Sequence, residues 1–205
     1  MVLVAVSGTI GVGKSTLCAR LAGETGFSLI PEPVGSNPYL GDFYKDPSRW
    51  AFTAQIFMIT DRFRRQRHLG RQEGYLLDRC LHEDWVFAQV LHEMGHLSDR
   101  EWATYLGLYE SLIQVAPVPD AVVYLRVTPE TALRRIGSRA RDSESAISLS
   151  YLSHLHRVYE EWAETMAATT TVMTLDWGSY GDAAGIAERL FPTAKREAPQ
   201  DLMLP

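Results

Sequence analysis

Gly8-Thr9-Ile10-Gly11-Val12-Gly13-Lys14-Ser15-Thr16 constrains what this chain can fold into more than any other stretch. It matches the pattern G-x-x-x-x-G-K-[ST] without a mismatch, and its setting is right as well. Val2-Leu3-Val4-Ala5-Val6 ahead of it is apolar and largely β-branched, as a buried parallel strand requires. Ser15 to Leu21 then reads as a helix start, with Leu17, Leu21 and Ala22 at helical spacing. A strand that turns through glycines into a helix N-terminus is an anion cradle. Backbone N–H groups point inward, and the helix dipole adds partial positive charge. Gly8, Gly11, Val12, Gly13, Lys14, Ser15 and Thr16 are therefore expected to hold a nucleoside triphosphate. Lys14 would reach the terminal phosphates and the Ser15 hydroxyl would help to hold Mg²⁺. The loop does not say where the phosphate goes.

The 205 residues suit one α/β domain, and 46% hydrophobic with 22% charged residues is the balance of a soluble globular protein. A net charge of −5 argues against a general nucleic-acid or anionic-membrane surface. Lys14, Lys45 and Lys195 are outnumbered by seventeen arginines, whose planar fork suits phosphate. Cys18 and Cys80 form neither a disulfide framework nor a zinc spacing, and two free thiols suit a reducing compartment. With a strand from residue 2 and no apolar run of spanning length, a cytoplasmic protein is expected.

Along the chain, Phe27-Ser28-Leu29-Ile30 reads as a second strand that ends at Pro31-Glu32-Pro33-Val34. Residues 35–47 are turn-rich, with a short helical turn at most. Ser48 is the expected N-cap of a long helix from Arg49 to about Leu69, with Phe52, Ile56, Ile59 and Phe63 as its apolar face. Tyr75 to Asp78 is a third strand, followed by a helix from His82 to about Met94 and another, capped by Ser98, to Val115. Ala121 to Arg126 is a strand, Thr128-Pro129-Glu130 starts a helix to about Arg139, and residues 140–147 are a polar loop. Helices from Ser150 to Ala168 and from Asp182 to Leu190 flank a last strand, Thr171 to Leu175, and the tail from Pro192 is expected to fray. Strands alternating with helices imply a doubly wound, mostly parallel five-stranded sheet. Ligands in such sheets sit beyond the carboxyl ends of the strands. That brings Gly8 to Thr16, Glu32, Asp78-Arg79 and the segment after Arg126 into one neighbourhood.

Glu32 lies between two prolines that stiffen it, where a carboxylate can accept a proton from an attacking hydroxyl. Spacing alone leaves a surface glutamate equally open. Asp78 can reach Mg²⁺ or its waters, and Arg79 can reach a phosphate or the acceptor. Arg134, Arg135, Arg139 and Arg141 cluster at a helix end and the following loop, where two or three of them can neutralise a transferring phosphoryl group and the rest form a solvated face. Gln55 and Arg62 share one side of the long helix and, with Asp84, supply an amide, a guanidinium and a carboxylate for reading a nucleobase edge. On spacing alone an ordinary polar face is the stronger reading there, and Tyr44, Trp50, Met58 and Phe87 read as core.

Taken together these segments resemble the deoxynucleoside kinase family from about residue 3 to residue 162. The similarity rests on Gly8 to Thr16, Pro31-Glu32-Pro33-Val34, Asn37-Pro38-Tyr39-Leu40, Phe43-Tyr44, Arg49-Trp50-Ala51-Phe52 with Gln55, Asp78-Arg79, and Thr128-Pro129-Glu130-Thr131 leading to Arg139-Ala140-Arg141. The resemblance implies a P-loop kinase with an arginine-bearing lid at about 138–148, using ATP and Mg²⁺. It implies Glu32 as general base for a 5′-hydroxyl, Asp78 near magnesium and Arg79 on the substrate side. Tyr44 and Glu144 match contacts to the sugar 3′-hydroxyl, Gln55, Arg62 and Asp84 match the base-reading trio, and Met58 lies among the substrate contacts. Arg135, Arg139 and Arg141 match the lid arginines. Phe87 resembles the phenylalanine that packs on the base, displaced by one residue, and Cys80 stands where the family's motif has serine. The same resemblance implies a homodimer through the two long helices, and a deoxypurine nucleoside as substrate, deoxyadenosine slightly ahead of deoxyguanosine. Deoxycytidine is the alternative. A nucleoside monophosphate kinase shares the fold and lid, and a non-catalytic homologue would keep only the scaffold.

Overall fold

The apolar run at the start is buried because it becomes the middle of a sheet. The computed structural model describes residues 2–32, 36–70, 74–139, 146–179 and 181–191. Strands β1 (Val2–Ser7), β2 (Ser28–Ile30), β3 (Gly74–Asp78), β4 (Ala121–Arg126) and β5 (Thr171–Asp176) form one parallel sheet in the order β2-β3-β1-β4-β5. In β1, Leu3, Val4, Ala5 and Val6 are fully buried. A parallel strand covered on both faces reads as a continuous apolar run for this reason. Strand order reverses at β1, so the crevice beyond β1 and β3 is where a ligand belongs. Register puts Val6 opposite Asp78, which brings the two strand ends together.

Helix α1 (Lys14–Thr25) leaves the glycine loop and buries Leu17, Cys18 and Leu21. Each leucine contributes about 2 kcal/mol of burial. It packs with α8 (Ala183–Leu190), while α4 (Asp84–Glu93) packs with α7 (Leu149–Ala167). Helices α2 (Leu40–Lys45), α3 (Pro47–Gln66) and α5 (Asp99–Ile113) join α4 in a second apolar cluster around Ala51, Ile59, Leu91 and Tyr105. Helix α6 (Pro129–Arg139) lies against α7. The expected cap at Ser98 is present, with its hydroxyl accepting from Glu101 N–H, and so is the cap at Thr128.

Several local expectations are corrected. The turn-rich segment contains the six-residue helix α2. Helix α3 starts earlier than expected, with Pro47 in its first turn and Asp46 as cap, while Ser48 pairs with His96 Nδ1 at 3.0 Å. Pro47 is pre-set for a first turn and its missing N–H costs nothing there. His82 belongs to a 3₁₀ turn over Leu81–Glu83, and α4 begins at Asp84. The inward face of α3 is also shifted by one residue. Ala51, Ala54, Gln55, Ile59, Arg62 and Gln66 are buried, whereas Phe52, Ile56 and Phe63 are only partly covered. A polar stripe can turn inward here because partners wait for Arg62 and Gln66.

Candidate active site

The donor side is built mainly of backbone. Gly8 has φ 138°, and a Cβ there would lie 2.5 Å from the Leu125 carbonyl oxygen. Gly11 has φ 80°, and its Cβ would meet the Ala132 carbonyl and the Ile136 side chain, each at 2.8 Å. The loop therefore threads between the end of β4 and α6 where only glycine fits. Lys14 Nζ donates to the carbonyls of Gly8 at 3.0 Å and Thr9 at 2.9 Å. Burial pushes the Lys14 pKa down to about 8, the Arg79 charge pushes the same way, and Glu32, Asp78 and Glu83 oppose them. Gly13 caps α1, and Ser15 and Thr16 are exposed on its first turn.

Arg135 reaches back to this loop. Its guanidinium donates to the Val12 carbonyl at 2.9 Å and to those of Trp177 and Gly178 at 2.7 and 3.0 Å. It ties α6 to the glycine loop and to the segment after β5. Arg139 is exposed at the end of α6. Arg141, Glu144 and most of the expected lid lie outside the described residues, as does the tail from 192.

The cluster beyond the ends of β2 and β3 is built of charged side chains. Glu32 Oε1 lies 2.6 Å from Arg79 Nε and 3.5 Å from Arg62 Nη2. The Arg79 contact is off the line of the N–H bond, so it is an ion pair more than an aligned hydrogen bond. Burial raises the Glu32 pKa, but Arg79, Lys14 and Arg62 outweigh it and hold the carboxyl below its ordinary range. Arg62 also pairs with Asp84, and both are almost wholly buried. Asp84 Oδ2 and Arg62 Nε have no hydrogen-bond partner, which leaves one acceptor and one donor of this ion pair unused. Gln55 lies two turns earlier on the same buried face of α3, with Met58 half-buried between them. Tyr44, half-buried on α2, tilts against Phe43 and with Tyr151 lines a cleft of about 100 Å³ near the start of α7.

Arg79 is the joint between the two sides. Its backbone has φ 73°, which costs a non-glycine residue roughly 1–3 kcal/mol and must be held from outside. Arg79 N–H donates to the Val6 carbonyl, and Gln66 clamps the turn, donating to the Arg79 carbonyl while accepting from Leu81 N–H, both at 3.1 Å. The guanidinium donates to the Gly8 carbonyl at 3.0 Å. Phe87, expected against a base, has its ring 4.7 Å from the Arg79 guanidinium carbon.

Four residues of this cluster escaped the sequence reading: Ser7, Gln66, Glu83 and Tyr159. Glu83 is fully buried and accepts from Ser7 Oγ, Cys80 N–H and Tyr159 OH at 3.3, 3.2 and 2.8 Å. Cys80 and Glu83 form a capping box on the 3₁₀ turn. The signal was there in Cys80-x-x-Glu83, hidden because cysteine replaces the usual serine. Tyr159 carries no such local mark.

The residues fit a magnesium nucleotide. Asp78 is nearly buried at the end of β3, and its Oδ1 has no partner. Magnesium in such sites takes one or two protein oxygens and fills the rest with phosphates and water. Asp78 with the exposed Ser15 hydroxyl meets that need.

A parallel sheet of this order, a glycine loop after its middle strand and a carboxylate–arginine cluster beyond the next define a P-loop kinase fold. A profile of the deoxynucleoside kinase family matches residues 4–189, and the chain belongs to that family. It is 37% identical over 188 residues to a deoxyadenosine kinase of Dictyostelium discoideum, covering 91% of this chain and 77% of that one. It is 38% identical over 164 residues to a deoxyadenosine/deoxycytidine kinase of Bacillus subtilis, covering 78% and 76%. The structure of a deoxyadenosine kinase from M. mycoides with bound dATP superposes with a TM-score of 0.85 at 29% identity, over 94% of this chain and 100% of that one. The expected fold, family and enzyme class, an ATP-dependent deoxynucleoside phosphotransferase, stand.

Proposed function

We propose that this kinase phosphorylates the 5′-hydroxyl of deoxyadenosine ahead of other nucleosides, with Glu32 as the base. The observation that carries it is the Glu32 carboxylate, held ionised among Arg79, Lys14 and Arg62 between the donor loop and the Arg62–Asp84 pair. Glu32 takes the hydroxyl proton as the oxygen attacks, and Arg79 orients the carboxylate. Lys14, Arg139 and Arg141 neutralise charge on the transferring phosphoryl group. Arg135 braces the loop through its backbone contacts. Bound Mg²⁺, held by Asp78 and Ser15, would neutralise charge on the donor phosphates.

Arg62 and Asp84 offer a donor beside an acceptor, the complement of an amino group next to a ring nitrogen. Adenine and cytosine both present that edge, which makes deoxycytidine the second reading. The names of the Dictyostelium and Bacillus relatives, and an M. mycoides structure described with bound dCTP, support this pairing. Gln55, Met58 and Phe87 complete the base pocket, and Tyr44 and Glu144 serve the sugar. Among the described residues no helix is long and apolar enough to cross a membrane, and we place the enzyme in cytoplasmic nucleoside salvage. We place a homodimer interface on α3 and α4, supported by the partly covered Phe52, Ile56 and Phe63. A monomer mass by light scattering would refute it.

The deciding measurement offers the four natural deoxynucleosides and their monophosphates with ATP at equal concentration. Deoxyadenosine should turn over fastest, deoxycytidine or deoxyguanosine next, and monophosphates not at all. Turnover confined to monophosphates would overturn the reading.

A further inference from the structure

We infer that Glu83 and Tyr159 are positioning residues for phosphoryl transfer, holding Arg79 in the one orientation that joins the donor loop to Glu32. The inference rests on the reading of Glu32 as the acceptor-side base. Arg79 touches both halves of the site, with Nε toward Glu32 and Nη1 on the Gly8 carbonyl. Its backbone, at the disfavoured φ of 73°, is held by Val6 and Gln66, but those bonds do not set the plane of the guanidinium. The restraint comes from behind. Nη1 also meets Glu83 Oε2 at 3.4 Å and the Tyr159 hydroxyl, and that hydroxyl donates to Glu83 Oε2 at 2.8 Å. Glu83 is pinned in turn by Ser7 from the end of β1 and by the Cys80 backbone after β3.

Tyr159 cannot drift either. Its ring stacks on Tyr124 at 6.0 Å and meets Trp162 and Phe87 edge-on at 5.9 and 6.0 Å. Phe87 closes the other side of the Arg79 guanidinium. Both Glu83 and Tyr159 are fully buried behind Arg79, and the guanidinium is the group through which they meet Glu32 and the glycine loop. A guanidinium has five N–H donors in a rigid fork. Sharing that fork between a buried carboxylate behind and Glu32 in front sets its plane, and a small misplacement of a catalytic group is enough to cost a large factor in rate.

Tyr159→Phe keeps the ring and its packing and removes only the hydroxyl, so it tests the idea without a cavity. It should lower kcat by roughly tenfold or more. KM for ATP and nucleoside should stay within about threefold, as expected when only the transition state is affected. In an Arg79→Lys background the same change should cost less than about twofold, because the fork it serves is gone. Glu83→Gln should behave like Tyr159→Phe, and if it fails to fold the tyrosine pair decides alone. A kcat within about twofold of wild type for Tyr159→Phe, or an equal loss in both backgrounds, would overturn the inference. Glu32→Gln measured alongside separates the two readings. If it keeps its turnover the base assignment fails, while the Tyr159–Arg79 coupling is still read independently.

Discussion

The glycine loop and the charged cluster meet at one atom, the Gly8 carbonyl oxygen, which accepts from both Lys14 and Arg79, yet they are built by different rules. The loop is contiguous, made of backbone, and carries a single charged side chain. The cluster joins Glu32, Arg62 and Tyr159, each far off in the chain, to Asp78, Arg79, Glu83 and Asp84 on one short segment. Donor phosphate is recognised by N–H groups whose geometry is local, so one motif suffices. An acceptor base must be ionised, aimed and dry, which takes opposite charges brought together from several elements. The loop should therefore tolerate loss of its charge as a fold, and the cluster should not.

The largest expected effect tests whether the cluster does chemistry or only binds. Glu32→Gln should cut kcat by about 10²–10⁴, the range for loss of a general base, with nucleoside affinity within a few-fold. Near-normal turnover would reduce the cluster to a binding device.

Next in size is Arg62→Ala, which strands the buried Asp84 carboxylate. Stability in urea should fall by about 3–5 kcal/mol. Replacing both partners, Arg62→Met with Asp84→Leu, should recover most of that stability while erasing the preference among bases. If the single change costs less than about 1 kcal/mol, the cluster is no more brittle than a surface pair.

Gly11→Ala is the loop's counterpart. The added methyl meets the Ala132 carbonyl and Ile136, both 2.8 Å away, at a positive φ. A loss of about 1–3 kcal/mol, read as a lower thermal midpoint, should accompany weakened ATP binding. A midpoint unchanged from wild type would show that the loop yields.

The smallest effect concerns the loop's lone charge. The Lys14 pKa is lowered from 10.5 to about 8, so below pH 8 the folded state carries the cost of a buried ammonium. The unfolded chain holds that proton up to about pH 10.5, so this cost fades as pH rises from 8 to 10.5. In thermal stability Lys14→Met should therefore match or exceed the wild type at pH 7, with any advantage gone above about pH 10.5. In the wild type, kcat/KM for ATP should fall above pH about 8 as the free enzyme loses that proton. A profile flat to pH 10 would place the lysine in a wetter setting.

How much of this was legible follows the same divide. The glycine loop, the strand from Ala121 to Arg126, the helix ending at Arg139 and the cap at Ser98 were readable, because each depends on neighbours in sequence. Glu32, Asp78 and Arg79 were readable as strand-end residues, while spacing offered Arg62 with Asp84 only as the weaker of two readings until the family resemblance was added. The inward stripe of α3 was misread by one residue. An amphipathic pattern assumes that polar groups face water, and here Arg62 and Gln66 have partners inside.

The sequence by itself determined the donor: a triphosphate cradle, its lysine and the parallel sheet that carries it, all products of local backbone preference and apolar periodicity. Only the tertiary structure decided how the charged cluster is assembled. It set which of Arg62's neighbours neutralise it, that Arg135 braces the loop, and that Glu83 and Tyr159 stand behind Arg79. Charge pairing in a buried site depends on distance and desolvation, and both arise only when segments far apart in the chain meet.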